Sequence, residues 1–131
     1  MFLHEFTEPQ RQAFLTLAAR LSSADGSPSD AELALIIQMR EEMDLPPSWR
    51  PSWENTDVLL NWFVTPRDRA IAILELLRLA RSDQKITERE LTFIREVART
   101  FELSKERVRR LASWLARHEA LLQDGDRLLG S

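Results

Sequence analysis

Two short stretches of this chain place carboxylates on the adjoining ends of successive helical segments. The first runs Asp25-Gly-Ser-Pro-Ser-Asp30-Ala-Glu32, and the second runs Asp83-Gln-Lys-Ile-Thr-Glu88-Arg-Glu90. Carboxylates converging from the last turn of one helix and the first turn of the next suit a hard divalent cation. Calcium takes six to eight oxygens and magnesium an octahedron mostly of water, so two or three acids per turn would hold either ion weakly. Asp25, Asp30, Glu32, Asp83, Glu88 and Glu90 are therefore the candidate metal ligands, and calcium or magnesium the candidate ion. The same residues also make sense without a metal. Ser29-x-x-Glu32 and Thr87-x-x-Glu90 are capping boxes, in which the hydroxyl and the acid satisfy the orphan N–H groups of a helix start. Both readings stay open. An EF-hand is excluded, because counting Asp25 or Asp83 as the first loop position puts Ile36 or Ile94 where the bidentate glutamate belongs.

A second kind of chemistry is recognition. At 100° per residue, Arg107, Arg110, Trp114 and Arg117 share one side of a helix, where an indole flanked by guanidinium groups suits an acidic partner or a phosphate. Its alternative is a boundary tryptophan lying under arginine stems. Trp49 and Trp53 lie four residues apart in LPPSWRPSWEN, a segment too rich in proline for helix; they either anchor that loop to the core or present it to a partner. Catalysis has little support. His4 and His118 stand at opposite ends of the chain, neither beside a plausible nucleophile, and the chain has no Cys or Tyr. The chain reads as a non-enzyme.

The elements that must position these groups form a duplication. The chain repeats its pattern at an offset of 58, with Asp25 on Asp83, Asp30 on Glu88, Glu32 on Glu90, Leu33 on Leu91, Ile36 on Ile94 and Arg20 on Arg78. Two copies at so long a period indicate an internally duplicated compact domain and not a solenoid. Thr7 and Thr65, each followed by a proline within two residues, open helices expected to reach about Ala24 and Ser82. In the first, Gln12, Thr16 and Arg20 form the polar line; in the second, Glu75, Arg78 and Arg81 form a narrow wet strip on an otherwise apolar helix. The capping boxes open helices to about Asp44 and Phe101, the latter with Leu91, Ile94, Val97 and Ala98 inward. A short helix carries Val58 to Phe63. Ser104 caps another with a Val108, Leu111, Ala112, Leu115 stripe, and Gly125 is expected to interrupt the last helical piece. No stretch alternates with period two. The reading is all-α: an orthogonal bundle of six or seven helices in one domain, 1–131. Copy one covers about 7–45, the tryptophan loop and short helix 46–64, copy two about 65–103 and the C-terminal helices 104–129.

Composition bounds the rest. At 131 residues and 44% hydrophobic content the chain can bury one core, and it has no segment of about 18 uncharged apolar residues for a membrane span. A cytoplasmic protein is expected. Net charge is −3, but residues 1–65 hold 4 basic against 10 acidic side chains and residues 66–131 hold 14 against 11. An overall acidic chain is no bulk nucleic-acid binder, so no nucleic acid is expected as partner.

These motifs carry a resemblance. LLRLARSDQKITERELTFIREVARTFELS resembles the signature of the tellurite-resistance TerB-like domain family, and LAARLSSADGSPSDAELALIIQMREEMDLP its diverged partner. The resemblance implies an all-helical, internally duplicated, non-enzymatic domain of tellurite and stress-response systems, found alone or ahead of membrane-anchored J-domain co-chaperones. It also implies a protein partner, a place in complexes near the membrane, and metal binding by the acids of the two turns: Asp25 and Glu32, Asp83 and Glu90, with Asp30 and Glu88 beside them. The chain departs from the family at Gln84, where the family prefers glycine, and Lys85 brings a positive charge beside Asp83.

Overall fold

The computed structural model describes residues 1–24, 26–84 and 86–130. A 3-10 turn at Leu3–Glu5 precedes six α-helices: α1 Glu8–Ser22, α2 Asp30–Glu42, α3 Thr56–Leu60, α4 Pro66–Ala80, α5 Glu88–Thr100 and α6 Lys105–Leu128. No strand occurs among the described residues.

Local chemistry fixes these boundaries. Thr7, Ser29, Thr65, Thr87 and Ser104 are N-caps whose hydroxyls accept from the N–H three residues on, and α1, α2 and α5 carry full capping boxes. α1 and α4 each span 15 residues and α2 and α5 each span 13, with starts 58 apart in both cases. Backbone detail recurs at the same offset. Asp44 and Glu102, just past α2 and α5, have φ of 58° and 60°, and Gly26 and Gln84 both have positive φ. The guanidinium of Arg11 reaches the Met43 carbonyl at 3.0 Å and that of Arg69 reaches the Phe101 carbonyl at 3.5 Å.

α1 and α4 form the middle of the molecule. α4 touches α1, α2, α5 and α6, and is buried along Ile71–Leu77, Leu79 and Ala80. An aromatic chain joins the two copies: Phe14 to Phe6 at 5.8 Å, Phe6 to Phe63 at 5.2 Å and Phe63 to Phe101 at 5.8 Å. Leu3 and Phe6 of the N-terminal segment are thus core residues.

Several expectations are corrected. Gly125 does not interrupt anything: α6 runs through it as one 24-residue helix, since a lone helical glycine costs only about 1 kcal/mol relative to alanine and its neighbours are not helix breakers. Glu75 is not on a wet strip but 0% exposed, accepting from Phe2 N at 2.9 Å and paired with Arg78 at 2.6 Å. Thr16 is buried because its hydroxyl accepts from Ser52 N at 3.1 Å. Leu91 is only half-buried, while Ile94, Val97 and Ala98 are buried as expected, because Glu90 takes the inward place on that turn of α5. Truncation should therefore hurt at Ile94 and much less at Leu91. Ile94→Ala is expected to lower stability by about 2–5 kcal/mol and Leu91→Ala by about 1 kcal/mol, both read as midpoint shifts in urea denaturation.

Candidate functional site

The feature that the sequence did not reveal is that the two capping-box acids meet. Glu32 and Glu90 start α2 and α5, and each uses one carboxylate oxygen to accept its own cap's N–H, from Ser29 at 2.8 Å and from Thr87 at 3.0 Å. Both residues are buried, and Glu90 lies within hydrogen-bonding reach of Glu32. The second oxygen of Glu32, Oε2, is buried and accepts from no donor. Two carboxylates so placed repel each other and lack water. Burial, together with the bond and charge of Glu32, pushes Glu90 up to about 7, against the bonds it accepts from Thr87. A protonated Glu90 has the O–H that Glu32 needs as a partner.

The other candidate ligands are less converged. Asp30 and Glu88 are exposed acids in the first turns of α2 and α5, where they favour the positive helix ends. Asp83 is half-buried at the end of the second inter-helix turn. Asp25 lies outside the described residues, as does Lys85. No three His, Cys, Asp or Glu side chains converge as a metal cluster among the described residues. What the structure brings together is a pair of carboxyls, one from each turn, one of them with a buried oxygen that has no donor; that donor set fits the oxygen-ligand chemistry of a hard cation. Glycine at position 26 takes φ of 122°, whereas Gln84 adopts φ of 63° with a side chain that disfavours it.

The recognition candidates separate. Trp49 packs half-buried against the core and anchors its loop, while Trp53 is 99% exposed. The loop between them is held from below by Arg20, which bonds Thr56 Oγ1 at 3.0 Å, the Ser52 carbonyl at 3.1 Å and the Glu54 carbonyl. A cleft of about 560 Å³ runs beside it, lined by Arg20, Ser23, Arg50, Pro51 and Trp53 among others. On α6, Arg107, Arg110 and Arg117 are exposed, and Trp114 is partly covered by Phe2 at 6.3 Å and stacked on His118 at 5.3 Å. Arg110 pairs with Glu106 at 3.4 Å. The two sets lie on different elements.

Six helices, four of them in two capped helix-turn-helix units with one acid of each turn in contact, define an all-helical domain with acidic inter-helix turns. A family model described as tellurite resistance protein TerB matches residues 52–113, the stretch from the end of the tryptophan loop through α5 into α6. The crystal structure of a tellurite resistance protein from Nostoc punctiforme PCC 73102 aligns with a TM-score of 0.70 at 17% identity, covering 92% of this chain and 79% of that one. No curated protein matches. The chain is thus similar to TerB in sequence over residues 52–113, and its fold is similar to that of this tellurite resistance protein over 92% of its length. Among its described residues no helix is long and apolar enough to cross a membrane.

The raised Glu90 has a definite sign in stability. With the folded value about 7 and the usual value 4.5, the folded state holds a proton that the unfolded state has lost. This contribution is fully present below 4.5 and is lost as pH rises from 4.5 to about 7. Other shifted acids do not interfere in that window. Glu5, bonded by Arg67, and Glu42, where burial is outweighed by the bond and charge of the Met1 ammonium, are held below 4.5. Glu90→Gln keeps the Thr87 cap bond, as Gln10 keeps the Thr7 bond in α1, and adds an N–H donor for Glu32. Denaturation midpoints measured from pH 4.5 to 8 should therefore fall with pH in the parent relative to Glu90→Gln; parallel curves would show that the pair carries no excess proton.

Proposed function

We propose that this chain is a non-catalytic TerB-like adapter module of stress response, in which the Glu32–Glu90 pair holds either a proton or a weakly bound divalent cation. The observation that carries the reading is the buried contact of the two carboxyls with one oxygen, Glu32 Oε2, lacking a donor. A calcium or magnesium ion would supply the positive charge that otherwise a proton on Glu90 supplies. The residues prepare for it. Ser29 and Thr87 fix one oxygen of each acid and leave the other free of the cap. The turn acids Asp25 and Asp83 are the further oxygens that the sequence offers, with Asp30 and Glu88 outside them. Because Glu90 stays protonated to about 7, cation uptake requires release of that proton. The pair would thus report both pH and cation to the place where the starts of α2 and α5 meet, and so to whatever the module holds in a complex at or near the membrane.

The expected outcome of an NMR titration with calcium or magnesium is movement of the amides around Ser29–Glu32 and Thr87–Glu90, with a dissociation constant of about 10⁻⁴ to 10⁻³ M. Binding should be about tenfold weaker at pH 6 than at pH 8. Asp25→Asn and Glu90→Gln should both weaken it. The first turn should respond more than the second, since Gly26 lets its backbone close where Gln84 and Lys85 hinder the other. Silence at both turns up to millimolar cation would leave the pair as a proton-sharing structural contact.

The second reading is a metal-free protein-interaction scaffold, and a specific observation favours it. Trp53 stands 99% exposed on a loop that Arg20 and Trp49 hold rigid, beside a cleft carrying Arg50. An exposed indole on a fixed loop is the form of a binding anchor. In this reading Trp53→Ala abolishes partner capture while leaving the denaturation midpoint unchanged, and the Arg107/Trp114 face of α6 supplies the second contact.

A further inference from the structure

We infer that the free side of α6 is a self-association surface on which a second copy of this chain packs antiparallel, centred on Leu121. Three exposed apolar residues, Trp114, Leu121 and Leu128, stand at seven-residue spacing on one line of the helix and are 37%, 70% and 88% exposed. Seven-residue spacing is the repeat of a two-helix seam. This line lies beside the Val108, Leu111, Ala112 and Leu115 stripe that docks α6 on the body, which covers Trp114 in part through Phe2 and leaves Leu121 and Leu128 exposed. Between Leu121 and Leu128, on the same side, sits Gly125. A Cβ added there would meet nothing within 4 Å, so nothing inside the monomer requires a glycine in mid-helix. Close approach of a second helix does.

Charge selects the partner and its direction. The line begins among Arg107, Arg110 and Arg117 and ends beside Asp124. Antiparallel pairing about Leu121 brings Arg117 of each copy opposite Asp124 of the other and seats Trp114 against the other copy's Leu128. Parallel pairing would set Arg117 against Arg117 and Asp124 against Asp124. Around Leu121 and Leu128 the line is flanked by Arg117 and Asp124, one charge of each sign, which suits a second copy better than an anionic lipid surface. A seam of about 21 Å from Trp114 to Leu128 is short for a stable dimer, so the dimer is weak and reversible.

The test uses the whole chain. Sedimentation equilibrium from about 1 μM to 1 mM should show a monomer–dimer equilibrium with a dissociation constant of about 10–100 μM. Leu121→Glu, at an exposed site, should weaken it by about tenfold or more. Arg117→Asp should weaken it, and Arg117→Asp combined with Asp124→Arg should restore it. The chain has no native cysteine, so single cysteines give a clean second measurement. On oxidation Leu121→Cys should link to itself across the two-fold axis, whereas Leu128→Cys should not, its copies lying about 21 Å apart along the seam. A monomer at every concentration overturns the proposal, as does self-linking of Leu128→Cys as readily as of Leu121→Cys.

Discussion

The contact on which the arrangement turns is that of residues with their own repeats. Glu32 meets Glu90, and Gln10 donates to Asp68 at 3.1 Å; in both pairs the partners are 58 residues apart and both are third residues of capped helices. A residue that touches its own counterpart lies on the axis relating two copies. The two pairs therefore mark an approximate two-fold axis, with α1 meeting α4 at one and α2 meeting α5 at the other. Everything along that axis meets its own likeness, which is harmless for apolar residues and awkward for acids.

The two pairs solve this differently. At Gln10 and Asp68 the copies have diverged into an amide and a carboxylate, and the amide N–H completes the contact while also bonding the Trp62 carbonyl at 3.0 Å. At Glu32 and Glu90 no such divergence has occurred, and two buried acids are left needing a positive charge or a proton between them. Divergence shows elsewhere too. Arg20 is spent on fastening the tryptophan loop, while its counterpart Arg78 neutralises buried Glu75.

How much of this could be read from the chain follows from the range of the forces involved. Caps are local: a hydroxyl and an N–H three residues on suffice, so Ser29, Thr87 and Ser104 mark their helices without ambiguity. The duplication was legible for the same reason. Glu75 was misplaced because helical periodicity assigns an acid to solvent unless a distant partner is known, and its partners Phe2 and Arg78 include one 73 residues away. Leu91 was misplaced because Glu90 occupies the inward position, which only the contact across the axis explains. The six acids of the candidate site follow from local motifs, but the reason to single out Glu32 and Glu90 among them lies in a long-range meeting. The turn acid Asp25 falls outside the described residues, so its part in that meeting stays with the sequence reading.

Retaining two acids at the axis has a physical consequence for the module as a whole. An amide facing a carboxylate would satisfy α2 and α5 without a shared proton, as Gln10 and Asp68 do for α1 and α4. A carboxyl pair instead makes the approach of the two helices conditional on what neutralises it, because an unpaired buried carboxylate is far less tolerable than a paired one. The condition acts on the starts of α2 and α5 and not on α1 and α4, which touch each other and are buried along most of their length. The molecule thus combines a fixed seam with one whose stability depends on protonation, within a single hydrophobic core.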